Sequence, residues 1–217
     1  MSTSSLSVAV DLRSGFGAIR AQGERPTCAA FAASGCHAYS IDADSPELSV
    51  EYAFYHAVAR TVAKDRTTGV NFAAMSAAIA GDGQPAESAW PYIPHLGPAD
   101  HWSPPANVGT IYRGGLNRIS CDLVSVRAEL ESARPVFVIT DISKSFYFTA
   151  RGAIVNASSA ERREGTHAVI ALGFGHLDAA VCYLIRNSWG PSWGTDGYAW
   201  LHEDYLEPRL RVAGVFS

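Results

Sequence analysis

Six prolines, Pro85, Pro91, Pro94, Pro98, Pro104 and Pro105, fall in the stretch from Gly81 to Pro105. Each fixes its own φ and removes a backbone donor, so neither a long helix nor a central strand can cross this stretch. It reads as irregular chain and as the crossing point between two unlike halves. Before it, Cys28 to about Ile41 is alanine-rich and free of proline, with Pro26 and Thr27 just upstream. That pattern predicts a buried helix whose first turn lies near Cys28. A second helix is expected from Val50 to about Lys64, where Tyr52, Phe54, Tyr55, Val58 and Val62 recur at helical spacing, and a third from Phe72 to Ala80. Beyond the prolines, Asp122 can cap a short helix through Arg134, and Pro135 introduces the β-branched run Val136 to Ile139. Further strands are expected at Gly152 to Val155, His167 to Phe174, Val181 to Asn187 and Gly197 to His202. The order, helices first and strands after, is that of an α+β fold.

The length of 217 residues allows one sizeable core, or two small ones sharing an interface. Charge bounds the partners. The net charge is −4, and the 17 Lys and Arg are scattered rather than gathered into a stripe, which argues against nucleic acid or an anionic membrane surface as the main partner. Arg162 and Arg163 stand between Glu161 and Glu164, as in a charge-balanced solvated loop. The first residues lack a basic stretch followed by an apolar one, and no apolar run approaches the roughly 18 residues of a membrane span. Cys28, Cys36, Cys121 and Cys182 form no CxxC pair and no metal-like spacing with histidine. Reduced thiols, a cytoplasmic location and no cofactor are the resulting expectations, with delivery outside the cell by another route left open.

Chemistry concentrates at three separated places. In Gln22-Gly-Glu-Arg-Pro-Thr-Cys28-Ala-Ala-Phe31 a cysteine opens a buried helix. Unpaired backbone N–H groups and the positive end of the helix dipole favour its thiolate there. Gln22 can donate from its side-chain amide to an oxygen that becomes negative, together with the backbone N–H of Cys28. His167 heads an apolar strand closed by glycines, and Asn187 opens the turn Asn187-Ser-Trp-Gly-Pro-Ser-Trp-Gly194. Taken singly, each has a plain structural reading: a small buried hydrophobe, a strand histidine, a turn former.

Together these segments resemble the papain-like cysteine peptidases (C1). The order Gln, Cys, His, Asn and the local sequences QGERPTCAAF, THAVIALGFG and IRNSWGPSWGTDGY are all similar to that family's active-site motifs. Weaker similarity covers nearly the whole chain, including GVNFAAMSAAIAGDGQPAESAWPY. The resemblance implies one catalytic unit over residues 1–217: a helical lobe at about 18–105, an antiparallel β-barrel-like lobe at about 106–217, and a cleft between them. It implies that Cys28 attacks a peptide carbonyl from a resting thiolate–imidazolium pair, that His167 moves the proton, that Asn187 orients His167 and that Trp189 shields that bond. Gln22 completes the oxyanion hole. Gly69, Val70, Asn71, Thr166 and Ala168 match substrate-binding positions, around a pocket expected to take an apolar or small side chain.

Departures from the pattern carry information too. Arg25 stands where the family usually has a cysteine, and Ala29 where it has a tryptophan. This resembles the divergent bacterial members, and Arg25 is expected to bring a positive charge near the thiol. No inhibitory pro-segment precedes the mature-like region, which implies removal of one, or restraint by a lid, a separate inhibitory or regulatory partner, or a narrow peptide or protein substrate. The expected reaction is endopeptidase hydrolysis through a thioester. The alternatives are acyl transfer or amidase chemistry at the same site, and a silent peptide-binding module.

Overall fold

The computed structural model describes residues 5–42, 45–97, 99–156 and 161–217. Pro98 and the first four residues, used in the sequence expectations, lie outside these. The helices are α1 (Cys28–Ile41), α2 (Val50–Val58), α3 (Phe72–Gly81), α4 (Leu123–Glu131), α5 (Lys144–Tyr147) and α6 (Glu203–Leu206). The strands are β1 (Ser7–Asp11), β2 (Leu116–Arg118), β3 (Val136–Ile142), β4 (Ile154–Val155), β5 (Gly165–Leu177), β6 (Ala180–Arg186), β7 (Tyr198–His202) and β8 (Leu210–Phe216). The expected α+β arrangement is the one found.

One sheet runs β2-β8-β3-β5-β6-β7-β4, with β1 added to β5. Its pairs are antiparallel except β4 with β7, which are parallel. Alternation along β5 divides the core. Ala168, Ile170 and Leu172 face the cluster shared with α1, α2 and α3, whereas Val169 and Ala171 face a second cluster with Val136, Val138 and α4. Helix α1 can lie directly on β5 because Gly35 has no side chain: a Cβ there would come within 2.6 Å of Ile170 Cδ1. The helix that begins at Cys28 is thus seated on the strand that carries His167.

Two helices stop earlier than their patterns suggest. Helix α2 ends at Val58 rather than near Lys64. Thr61 Oγ1 donates to the Val58 carbonyl and accepts from Lys64 N–H, and Lys64 turns to φ 50°, so Val62 is fully exposed rather than part of an apolar face. Helix α4 ends at Glu131 rather than Arg134, with Ala133 at φ 55°, because Pro135 disfavours helical geometry at the residue before it. Its cap is as expected, Asp122 Oδ1 accepting from Ser125 N–H at 2.7 Å. The Glu161 loop is tethered rather than simply solvated, since its carboxylate accepts from Ser143 Oγ, Ser145 N–H and Ser145 Oγ.

Strands β1, β2 and β8 and the short helices α5 and α6 were not anticipated. Strand β1 exposes most of its side chains, although Val10 packs against the second cluster. Its position is set by its partner: at Gly173 a Cβ would run into the Val10 carbonyl, and at Gly175 it would lie 2.6 Å from the Ser7 carbonyl. Among the described residues no helix is long and apolar enough to cross a membrane.

Candidate active site

Cys28 is the first residue of α1, following Thr27 at the N-cap. Burial pushes its thiol pKa up, while the backbone N–H groups of Ala168, Ala29 and Cys28 itself pull the other way. Those of Ala29 and Cys28 belong to the helix head. That of Ala168 comes from β5, and Cys28 packs against the cluster to which Ala168 belongs.

His167 is 5% exposed, and its Nε2 lies 2.7 Å from Asn187 Oδ1. Asn187 Oδ1 also accepts from the Ser188 N–H at 2.8 Å. An acceptor oxygen at Nε2 places a proton on that nitrogen and leaves Nδ1 as the one able to exchange a proton. Burial holds the imidazole down at about 4, with the Asn187 bond opposing that shift. Burial therefore disfavours a charge on either partner alone. Charges that form in contact, as a pair, offset part of that penalty.

An aromatic cover lies over this bond. The Trp189 ring centroid is 4.5 Å from that of His167, and Phe146 packs edge-on at 5.4 Å from Trp189. Tyr147 stacks on Trp189 at 5.0 Å, and Trp193 Nε1 donates to the Phe146 carbonyl. Water is kept from the His167–Asn187 bond by packing from both the Asn187 turn and α5.

Gln22 is clamped at every polar atom. Its Oε1 accepts from Ser188 Oγ at 2.7 Å, its Nε2 donates to the Arg25 carbonyl, and its N–H donates to the Ser188 carbonyl at 2.8 Å. The Tyr92 hydroxyl donates to the Gln22 carbonyl and lies 2.9 Å from Thr27 Oγ1, bracing both ends of the loop that leads into Cys28. Sequence reasoning missed Ser188 and Tyr92. Ser188 was visible as the residue after Asn187, but its link to Gln22 is a long-range contact.

Arg25 does not serve the thiol. It is 8% exposed and forms a two-bond pair with the fully buried Glu51, at 2.7 and 2.8 Å. Glu51 also accepts from Trp102 Nε1 and from the Ile93 N–H. The positive charge expected near Cys28 is thus paired with the buried carboxylate of Glu51 on α2.

The remaining expected residues divide. Ala168 and Val70 are both buried in the cluster against which Cys28 packs. Gly69 is exposed and open, its nearest neighbour being the Pro26 carbonyl 3.9 Å from a built Cβ. Asn71 instead commits its Oδ1 to capping α3 through Ala74 N–H at 2.9 Å. Thr166 shares the strand face of Ala168 but donates to Asp141 at 3.1 Å. All four cysteines are free thiols.

Comparison with known proteins places this arrangement in context. A family model described as papain family cysteine protease matches residues 6–209. Similar curated proteins include silicatein from Petrosia ficiformis, 33% identical over 93 residues, 43% of this chain and 27% of that protein. Cathepsin K from Mus musculus is 40% identical over 68 residues, 31% of this chain and 20% of that protein. The matched segments thus span only about a quarter of those relatives' own length. Among solved structures, procathepsin L 3 of Tenebrio molitor larval midgut superposes with a TM-score of 0.80 at 21% identity, over 96% of this chain and 69% of that chain. Xylellain from Xylella fastidiosa superposes with a TM-score of 0.77 at 21% identity, over 96% of this chain and 85% of that chain. These likenesses are of fold.

Proposed function

Since the chain belongs to the papain family of cysteine proteases, we propose that it is a cysteine endopeptidase whose nucleophile, proton carrier and orienting residue are Cys28, His167 and Asn187. The observation that carries the reading is the buried hydrogen bond of 2.7 Å between His167 Nε2 and Asn187 Oδ1, with His167 on the strand against whose cluster Cys28, at the head of α1, is packed.

In this mechanism His167 Nδ1 takes the thiol proton as the sulfur attacks the substrate carbonyl carbon. The carbonyl oxygen becomes negative and is met by the Cys28 N–H and by the amide N–H of Gln22 that Arg25 does not use. Collapse of the tetrahedral intermediate breaks the C–N bond, and His167 hands its proton to the departing amine. Water, deprotonated by His167, then attacks the thioester and releases the acid. Asn187 keeps the ring in place through both proton transfers, the role an aspartate fills in serine enzymes. Trp189 keeps the orienting hydrogen bond in a low-dielectric setting, where it is stronger.

A structural neighbour from Carica candamarcensis is described in complex with E-64, and that inhibitor supplies the test. Mass spectrometry of the intact protein after E-64 treatment should show one adduct, at Cys28, absent in Cys28→Ala and strongly slowed in His167→Ala. No adduct on folded wild-type protein would overturn the reading. Product analysis with peptide libraries then separates hydrolysis, expected here, from transfer to an added amine.

A further inference from the structure

Along the cluster against which Cys28 packs, the sheet presents a short apolar ledge. Ala168 on β5 pairs with Ile139 on β3, and Ile139 pairs with Val212 on β8. All three pack against the same cluster as Val70. The ledge lies on the β3 and β8 side of β5, whereas Asn187 and Trp189 follow β6 on its other side.

The ledge does not end in apolar residues. One register step along, Asp141 pairs with Thr166, and the β3–β8 pairing shifts between Ile139 and Thr140, leaving Arg211 beside Asp141. Arg211 donates to Asp141 Oδ2 from Nε at 2.8 Å and from Nη2 at 2.5 Å. Arg163 lies 3.0 Å from Oδ1 of the same carboxylate and also donates to Thr166 Oγ1. Two guanidinium groups thus share one carboxylate. The Asp141 side chain is only 6% exposed, while those of Arg163 and Arg211 are 63% and 52% exposed. The carboxylate is spent on holding the arginines in place. Their outer N–H donors face solvent, with one positive charge in excess.

We propose that Arg163 and Arg211, held by Asp141 at the end of the Ala168–Ile139–Val212 ledge, select substrates carrying an acidic side chain on the acyl side of the cleaved bond. The inference rests on the peptidase reading and adds the substrate class. An extended peptide anchored near Gly69 lays a side chain along the ledge. A glutamate there covers the apolar surface with its methylenes and brings its carboxylate to guanidinium donors already fixed in position. The small or apolar preference expected from the sequence describes the ledge, and the arginines add a charged terminus to it.

A peptide library, with each acyl-side position fixed in turn as glutamate, glutamine or leucine, tests this. At low salt, wild type should favour glutamate over glutamine at one position by about tenfold in kcat/KM, and added salt should shrink that ratio. Arg211→Gln and Arg163→Gln should each bring the ratio towards one, with rates normalised to the fraction labelled by E-64. Equal or poorer cleavage of the glutamate peptides at every position, or a ratio unchanged in both variants, overturns the proposal. Binding separates it from the peptidase reading. If no peptide is cleaved but Cys28→Ala still binds a glutamate hexapeptide more tightly than its glutamine twin, and adding Arg211→Gln abolishes the difference, the acidic selection stands and the peptidase reading falls. If neither cleavage nor selective binding is seen, both fall.

Discussion

The Ser188 hydroxyl donates to Gln22 Oε1 across 2.7 Å. With the oxygen so occupied, the amide can turn only its nitrogen towards the helix head, so the orientation of the donor proposed for the oxyanion is fixed by the residue that follows Asn187. Ser188→Ala is therefore expected to lower kcat about tenfold with little change in KM, because the lost ordering matters most when the oxyanion forms. Ser188→Thr should restore most of the rate. Steady-state kinetics on one peptide substrate decides it, and a change confined to KM would contradict this role.

A pH effect follows from His167. Its imidazole is held at about 4 in the folded chain against 6.5 ordinarily. Between those values the unfolded chain binds a proton that the folded chain refuses, so stability contributed by this group is present above about 6.5 and lost as pH falls towards 4. Urea melts across that window should show a weaker decline in His167→Gln than in wild type. Trp189→Ala, which uncovers the ring, should move the imidazole titration up towards its ordinary value, as read by NMR.

Some of this was legible in the chain and some was not. Helix α1 begins and ends where composition placed it, and the Cys28, His167 and Asn187 segments were each visible as motifs. Contacts between distant residues were not visible. Arg25 read as a charge near the thiol because it stands three residues from Cys28, yet the fully buried Glu51 claims it. Strand β1 and its flanking residues carry a short alternation, Leu6, Val8, Val10 and Leu12, and Gly173 and Gly175 in β5 are a second signal for it, since glycines inside a strand mark close backbone approach.

The Arg25–Glu51 pair should be costly to break from one side. Glu51→Gln leaves a guanidinium buried without its counter-charge, and is expected to destabilise the fold by about 3 kcal/mol. Replacing both residues with apolar ones of similar volume should cost less. Chemical denaturation of the single and double variants measures the difference, and equal losses would argue against charge as the cause.

Gly173→Ala places a methyl group against the Val10 carbonyl. The expected result is loosening of β1 alone, at a cost of about 1–3 kcal/mol. Hydrogen exchange should quicken at the β1 amides while the β3–β5 ladder stays protected.

The order of strands has a consequence for how the protein is made. Strand β5, bearing His167, is flanked by β3, and β3 is in turn paired with β8, which follows the other strands in chain order. A ribosome-bound chain therefore displays Cys28 long before the sheet that carries His167 can close on both sides of β3.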